Sequence, residues 1–277
     1  MKHIFFWITL VSVFLTGCGS REISESSVPT ICSDSTVSTE VLPSSEFTLQ
    51  DAVSEPDLTY FQSGDFCSQY TSKTNDYTMD YWVFVPENAV PGMPLIVFLH
   101  GIGEVGKIEE IPEYGPIAAA KSLYGDEYPF IALYPNTKTD SWCLDPIHGT
   151  VMEIIQSVVD TYSIDTEHII ISGHSLGAIG TWYMLSEYGD YFSAAVPVSC
   201  GCLEQLDLTK CAQVPIWGFV GDSDQFEPVY EAQMRWLMRC IASENGNAKL
   251  TILTGDTHID TKMTPFTPET FLWMLSQ

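Results

Sequence analysis

His168-Ile169-Ile170-Ile171-Ser172-Gly173-His174-Ser175-Leu176-Gly177 is a short apolar run that passes straight into Gly-x-Ser-x-Gly. A serine hydroxyl is a weak nucleophile unless it is held in a strained, exposed turn. Glycines two positions before and two after it let a strand and a helix approach without Cβ clashes. The stretch therefore has the sequence form of a nucleophile elbow, with Ser175 as the nucleophile. Residues 178–188 carry apolar side chains at helical spacing and stop before Gly189, which supplies the helix that an elbow needs.

A serine nucleophile needs a base and a group to orient that base, and after a strand–serine–helix elbow these follow in the order serine, acid, histidine. Of the six histidines, His3 lies near the N-terminus, His100, His148 and His168 precede the serine, and His174 is inside the elbow. His258 remains. It follows the β-like run Lys249-Leu250-Thr251-Ile252-Leu253 in the loop Thr254-Gly255-Asp256-Thr257-His258. The acid is expected after the strand-like Val214–Val220, in Gly221-Asp222-Ser223-Asp224. Asp224 is the first choice, because a carboxylate a few residues into the loop can meet the histidine Nδ1; Asp222 is the second. Asp256 and Asp260 read as solvated loop carboxylates.

A tetrahedral intermediate also requires donors for its oxyanion, usually two backbone N–H groups. The continuous apolar run Pro94–Leu99 has the composition of a strand buried on both faces and ends in His100-Gly101-Ile102-Gly103-Glu104. Ile102 is the first candidate for the loop donor, with Gly103 next, and Leu176, just after the nucleophile, is the second donor.

Together, His-Gly-Ile-Gly-Glu, Gly-His-Ser-Leu-Gly-Ala-Ile-Gly-Thr-Trp, Gly-Asp-Ser-Asp and Thr-His resemble the α/β-hydrolase superfamily. Within it they are similar to the phospholipase/carboxylesterase-like, feruloyl-esterase-like or "predicted peptidase" group. The resemblance covers the chain from about Tyr77 to its end. It implies a Ser–His–Asp triad, transferable to Ser175, His258 and Asp224, acting through an acyl-enzyme without a cofactor. Val105, Ala178 and Thr257 depart from residues common in that group, and the Val-Pro often seen after the acid is missing; these differences bear on subfamily and substrate.

The N-terminus carries a second signal. Met1-Lys2-His3 is a short basic segment and 4–15 an apolar one too short to span a membrane comfortably; Leu15-Thr16-Gly17-Cys18 follows and resembles a bacterial lipobox. That resemblance implies a signal peptide over 1–17, export, and a lipid on Cys18 that tethers the protein to a membrane, facing outside the cytoplasm. Residues 18–54, rich in Ser, Thr, Glu, Pro and Val without a sustained period, read as a flexible tether. The catalytic domain is expected over 55–277, a length that suits one hydrolase core.

With 36 acidic against 11 basic residues and a formal charge of -25, the surface repels phosphate backbones and argues against nucleic-acid partners. Eight cysteines in an exported chain suggest disulfides. Cys211 with Cys200 or Cys202, and Cys67 with Cys32 or Cys143, are candidate bridges, and spacing does not choose among them. The cysteines lack paired CxxC spacing, so no zinc site is expected.

Alternating strand-like and helical segments predict an α/β fold, a mostly parallel doubly wound sheet with helices on both faces. Helices are expected over 117–123, 150–162, 227–243 and 268–275. Loops at the carboxyl ends of the strands should line the pocket. Trp142 is a candidate stacking wall or a core cap, and Glu104 a substrate ligand or a structural partner within its loop. The function expected is hydrolysis of a carboxylic ester, on a small molecule or on a polysaccharide-linked acyl group. Peptide or amide cleavage by the same groups is the alternative, beside a non-catalytic surface-binding lipoprotein. An acidic metal set, Asp222, Asp224, Asp256, His258 and Asp260, is the other reading of the loops; it leaves the elbow unexplained.

Overall fold

Five strands of this chain are buried at every position, which a sheet tolerates only when both of its faces are covered. The computed structural model describes residues 61–202, 205–226 and 228–277. In chain order the strands are β1 (Gly64–Thr71), β2 (Thr78–Val85), β3 (Leu95–Leu99), β4 (Ile131–Asn136), β5 (Ile169–His174), β6 (Ala194–Val198), β7 (Ile216–Gly221) and β8 (Ala248–Leu253). Strands β3 to β7 are the fully buried set. All eight of these strands form one sheet in the order β1-β2-β4-β3-β5-β6-β7-β8. β1 and β2 pair antiparallel, as do β2 and β4, and every later pairing is parallel.

The helices α1 (Gly115–Tyr124), α2 (Asp145–Tyr162), α3 (Leu176–Tyr188), α4 (Leu208–Cys211), α5 (Val229–Ser243) and α6 (Pro268–Met274) divide between the two faces. Because strand side chains alternate, Leu95, Val97 and Leu99 join Val151, Ile154, Trp182, Leu237 and Ile241 in one core. Ile96 and Phe98 join Ile117, Ala120, Phe271 and Met274 in the other. This is the doubly wound arrangement that the sequence predicts.

The helix boundaries differ from expectation, chiefly at the starts of α2 and α5, and one strand is new. Helix α2 begins at Asp145 rather than 150, because Pro146 in its first turn needs no N–H acceptor and the Leu144 carbonyl takes the N–H groups of Ile147 and His148. α5 begins at Val229, and residue 227 lies outside the described residues. Strand β1 carries no clear alternation and did not stand out in the sequence; its pairing with β2 along the whole of both strands defines it. The expected signal peptide, Cys18, the tether and Cys32 lie outside the described residues. Among the described residues no helix is long and apolar enough to cross a membrane.

The disulfide expectation is corrected. Among the described residues no bridge forms between Cys211 and Cys200 or Cys202, nor between Cys67 and Cys143. Cys211 is buried against the Trp182 carbonyl of α3 and the Cys200 thiol turns to the Gly201 carbonyl, while Cys67 lies exposed on β1. Burial pushes the thiols of Cys200 and Cys211 up to about 12, so both stay protonated.

The antiparallel edge is fastened to the layer beneath it through one carboxylate. Glu153 of α2 accepts hydrogen bonds from the Thr74 hydroxyl at 2.6 Å, the Lys73 N–H at 2.8 Å, the Ser72 hydroxyl at 2.8 Å and the Tyr70 hydroxyl at 3.1 Å. These donors, the Thr74 hydroxyl foremost, hold its carboxyl down to about 2. A depressed carboxyl contributes stability that is present above its unfolded pKa and lost as pH falls through the folded value. Glu153→Gln should therefore lower Tm at pH 7 by roughly 2–4 °C, the shift for about 1 kcal/mol in a domain of this size. The difference from wild type should shrink as pH falls from about 4.5 towards 2. Thermal melts of both proteins across that window check this.

Candidate active site

The turn from β5 to α3 holds Ser175 at φ 56°, ψ -115°, a left-handed backbone that a residue with a Cβ adopts only under constraint. Two contacts impose it. A Cβ on residue 177 would lie 1.8 Å from the Leu99 carbonyl oxygen, and one on residue 173 would lie 2.2 Å from the Gly177 carbonyl oxygen. Both positions are therefore closed to any side chain. The Ser175 N–H donates to the Val198 carbonyl of β6 at 2.9 Å, and its own carbonyl accepts from Ala178 at 2.9 Å, starting the helix. The residue is 8% exposed, at the carboxyl end of the central parallel strands.

Asp224 and His258 come together from the loops after β7 and β8. The His258 Nδ1–H donates to Asp224 Oδ2 at 2.6 Å, and the other Asp224 oxygen accepts from the Phe226 N–H at 2.9 Å. The Asp224 side chain is fully buried. With Nδ1 committed as donor, Nε2 is the bare nitrogen that can accept a proton. Asp222, the second choice, instead accepts from the Gly255 N–H at 2.7 Å and braces the turn before the histidine. Asp260 takes the N–H and hydroxyl of Thr257. Among the described residues no three such side chains gather as a metal-binding group.

His174, set aside in the sequence, joins the histidine loop to the elbow. Its Nε2–H donates to the His258 carbonyl at 2.9 Å, and the two rings lie 4.7 Å apart. The Thr261 hydroxyl donates to the same carbonyl at 2.9 Å, and the Ser199 hydroxyl donates to Thr261 Oγ1 at 2.6 Å. Burial, followed by the neighbouring His258 and Lys262 charges, pushes the His174 imidazole down to about 3. It stays neutral, and its donor to the His258 carbonyl is kept at any working pH.

The loop after β3 forms a tight turn over Ile102–Glu104, in which the Glu104 N–H donates to the Gly101 carbonyl at 3.4 Å. The first N–H groups of a helical turn have no acceptor within it, so those of Ile102 and Gly103 resemble that of Leu176 at the start of α3. All three can serve an oxyanion. His100 fixes this loop from beneath. Its Nε2 accepts from the Thr137 N–H at 3.2 Å, so Nδ1 carries the proton and donates to the Gly101 carbonyl at 2.7 Å. Burial pushes it down to about 4, which keeps that tautomer neutral.

Trp142 is not a wall of the site. It is 1% exposed, packs edge-on to His100 and donates its indole N–H to the His100 carbonyl at 3.1 Å. Glu104 is likewise buried and forms an ion pair with Lys262. The side chains that do flank the histidine are Phe226 and Tyr230, with ring centres 5.3 and 5.7 Å from it, and Phe226 is 44% exposed. The sequence reading missed both. Their position just after Asp224 is the only signal that could have found them.

No known family profile matches the chain. Over 43% of its length it is 28% identical to a bifunctional acetylxylan esterase/xylanase of Neocallimastix patriciarum, covering 18% of that protein. It is 25% identical to poly(3-hydroxyalkanoate) depolymerase C of Paucimonas lemoignei over 46% of its length, and 22% identical to feruloyl esterase B of Talaromyces funiculosus over the same share. These cover 33% and 39% of those proteins, so the chain spans well under half of each of these three relatives. Among solved structures, a thermostable esterase superposes with a TM-score of 0.67 at 24% identity, over 77% of this chain and 63% of that one. An S-formylglutathione hydrolase of Agrobacterium tumefaciens does so with 0.59 at 15%, over 76% and 94%. The architecture is the α/β-hydrolase fold.

The two aspartates give a clean contrast. Asp224→Asn should cut kcat for an activated ester by roughly 10³–10⁴-fold, through loss of the correct imidazole tautomer. Asp222→Asn, whose side chain meets the Ser223 hydroxyl and the Gly255 turn rather than His258, should stay within about threefold. Steady-state kinetics on both variants at matched folded concentration decide between the two carboxylates.

Proposed function

We propose that this chain is a serine hydrolase that cleaves carboxylic esters outside the cytoplasm, with Ser175 as nucleophile, His258 as general base and acid, and Asp224 as the group that orients and stabilises the imidazolium. The observation that carries the reading is the 2.6 Å Asp224–His258 pair, on a loop whose His258 carbonyl is held by the residue immediately before the strained Ser175.

In this reading the ester carbonyl lies over Ser175 Oγ with its oxygen directed at the Leu176 N–H and at that of Ile102 or Gly103. His258 Nε2 takes the hydroxyl proton as Oγ attacks. The tetrahedral oxyanion is stabilised by the backbone donors and by the amino end of α3. Nε2–H then gives its proton to the departing alcohol. Water, deprotonated by the same nitrogen, cleaves the acyl-enzyme and regenerates Ser175.

Acyl esters on carbohydrate or phenolic groups are the proposed substrates. Support comes from the printed activities of the acetylxylan and feruloyl esterases that the chain resembles, and from the exposed aromatic ring of Phe226 beside His258. The lipobox-like Leu15-Thr16-Gly17-Cys18 supports export and a lipid anchor on Cys18.

The wild-type protein should hydrolyse p-nitrophenyl acetate and methyl ferulate and react with a fluorophosphonate at Ser175, and Ser175→Ala should lose at least about 10³-fold in rate. Absence of both turnover and labelling in the wild type would turn the reading towards a binding role. For the anchor, detergent phase partitioning of the full chain expressed in a bacterium should move from the detergent phase to the aqueous phase with Cys18→Ser. An unchanged partition would reject lipidation at this residue.

A further inference from the structure

A half-buried cation lies between the two loops that the chemistry depends on. Lys262 ends the short turn Asp260–Lys262, which begins two residues after His258, and Glu104 ends the turn Ile102–Glu104 that offers the oxyanion donors. The Lys262 Nζ is ion-paired with Glu104 Oε1, with 12% and 7% of the two side chains exposed, across 158 residues of sequence. The same ammonium sits 4.1 Å from the centre of the Tyr114 ring, and the Glu104 carbonyl accepts from Asn136 Nδ2 at 2.9 Å. A cavity of about 10 Å³, room for roughly one water, is lined there by His100, Gly101, Glu104, Tyr114, His174 and Lys262. His174 Nδ1 is buried nearby without a protein partner.

A buried ion pair is seldom worth more to stability than apolar side chains of the same shape would be. What it supplies is direction: a short charge-assisted bond fixes distance and angle, which apolar contact does not. The two loops it joins need that. Oxyanion donors act only within a few tenths of an ångström of their proper distance, and a misplacement of about 1 Å can cost a hundredfold in rate. His174 fixes the His258 loop relative to Ser175, but neither it nor Thr261 touches the Ile102–Glu104 turn through a side-chain bond. The Glu104–Lys262 pair is the side-chain bond that does join them.

We propose that Lys262 is a positioning residue: by pairing with Glu104 it latches the loop carrying His258 to the oxyanion turn, so that the general base and the oxyanion donors keep a fixed mutual geometry. This rests on the serine-hydrolase reading above. The latch acts on the transition state, so its loss falls on kcat and leaves KM largely alone.

The test compares the wild type, Lys262→Met, Glu104→Gln and the double variant on p-nitrophenyl acetate, with Tm measured for each. Each single variant leaves a buried charge unpaired and should lose both Tm and kcat. The double variant removes both charges at nearly constant volume and should regain Tm to within about 2 °C of wild type. Its kcat should remain about 10–100-fold low, with KM within about threefold. Wild-type kcat in the double variant would overturn the latch, because the pair would then matter only to folding. A double variant that recovers neither Tm nor kcat would overturn it as well, since the loss would then follow global stability. A wild type that neither turns over ester nor labels with fluorophosphonate would sink the hydrolase reading itself, an outcome distinct from an active wild type matched by the double variant.

Discussion

The Leu99 carbonyl oxygen at the end of β3 occupies the space where a Cβ on residue 177 would point, at 1.8 Å. That approach allows β5 to pass into α3 without a loop, and it leaves Ser175 as the one residue that must turn, at φ 56°. A strained serine between two immobile elements cannot relax without moving the sheet, so the strain is held by the core on both faces. The placement of every other group around the site follows from this fixed point. β3 leads out beside it to the Ile102–Glu104 turn, and β6 receives its N–H.

Around that point the loops are tied by imidazoles that do not titrate in the working range. His100 holds the Gly101 carbonyl at the base of the Ile102–Glu104 turn, and His174 holds the carbonyl of His258. Burial keeps both neutral, so each presents one fixed donor and neither competes with His258 for a proton. The half-buried His258 differs in having a carboxylate at Nδ1 and aromatic rings along its faces. The three histidines thus play different parts because of depth and partners rather than residue type.

The strong negative charge of the chain gives this arrangement a particular cast. With 11 basic residues in 277, a lysine shielded from solvent is scarce, and the half-buried Lys262 is placed with Glu104 between the two loops of the site. Most of the other cations that pair lie on exposed edges, as Lys107 does with Glu110, where solvent screens the interaction.

The sequence by itself determined the fold class, because fully apolar runs such as Leu95–Leu99 and Ile169–Ile171 admit few arrangements other than a sheet covered on both faces. It also marked Ser175, Asp224 and His258, since a strained turn demands glycines and the order of strands puts their loops at one end. It could not see that β1 pairs with β2, or choose whether Trp142 walls the site or caps the core, since each depends on partners distant in the chain. It offered Cys211 bridges that packing does not make. Only the tertiary structure decided that Asp224 rather than Asp222 meets His258, that His174 grips the histidine loop, and that Glu104 meets Lys262 across 158 residues. Periodicity and turn residues are local properties that a sequence records directly. Contacts between loops arise only once the sheet has brought their ends together, and nothing in either segment alone specifies them.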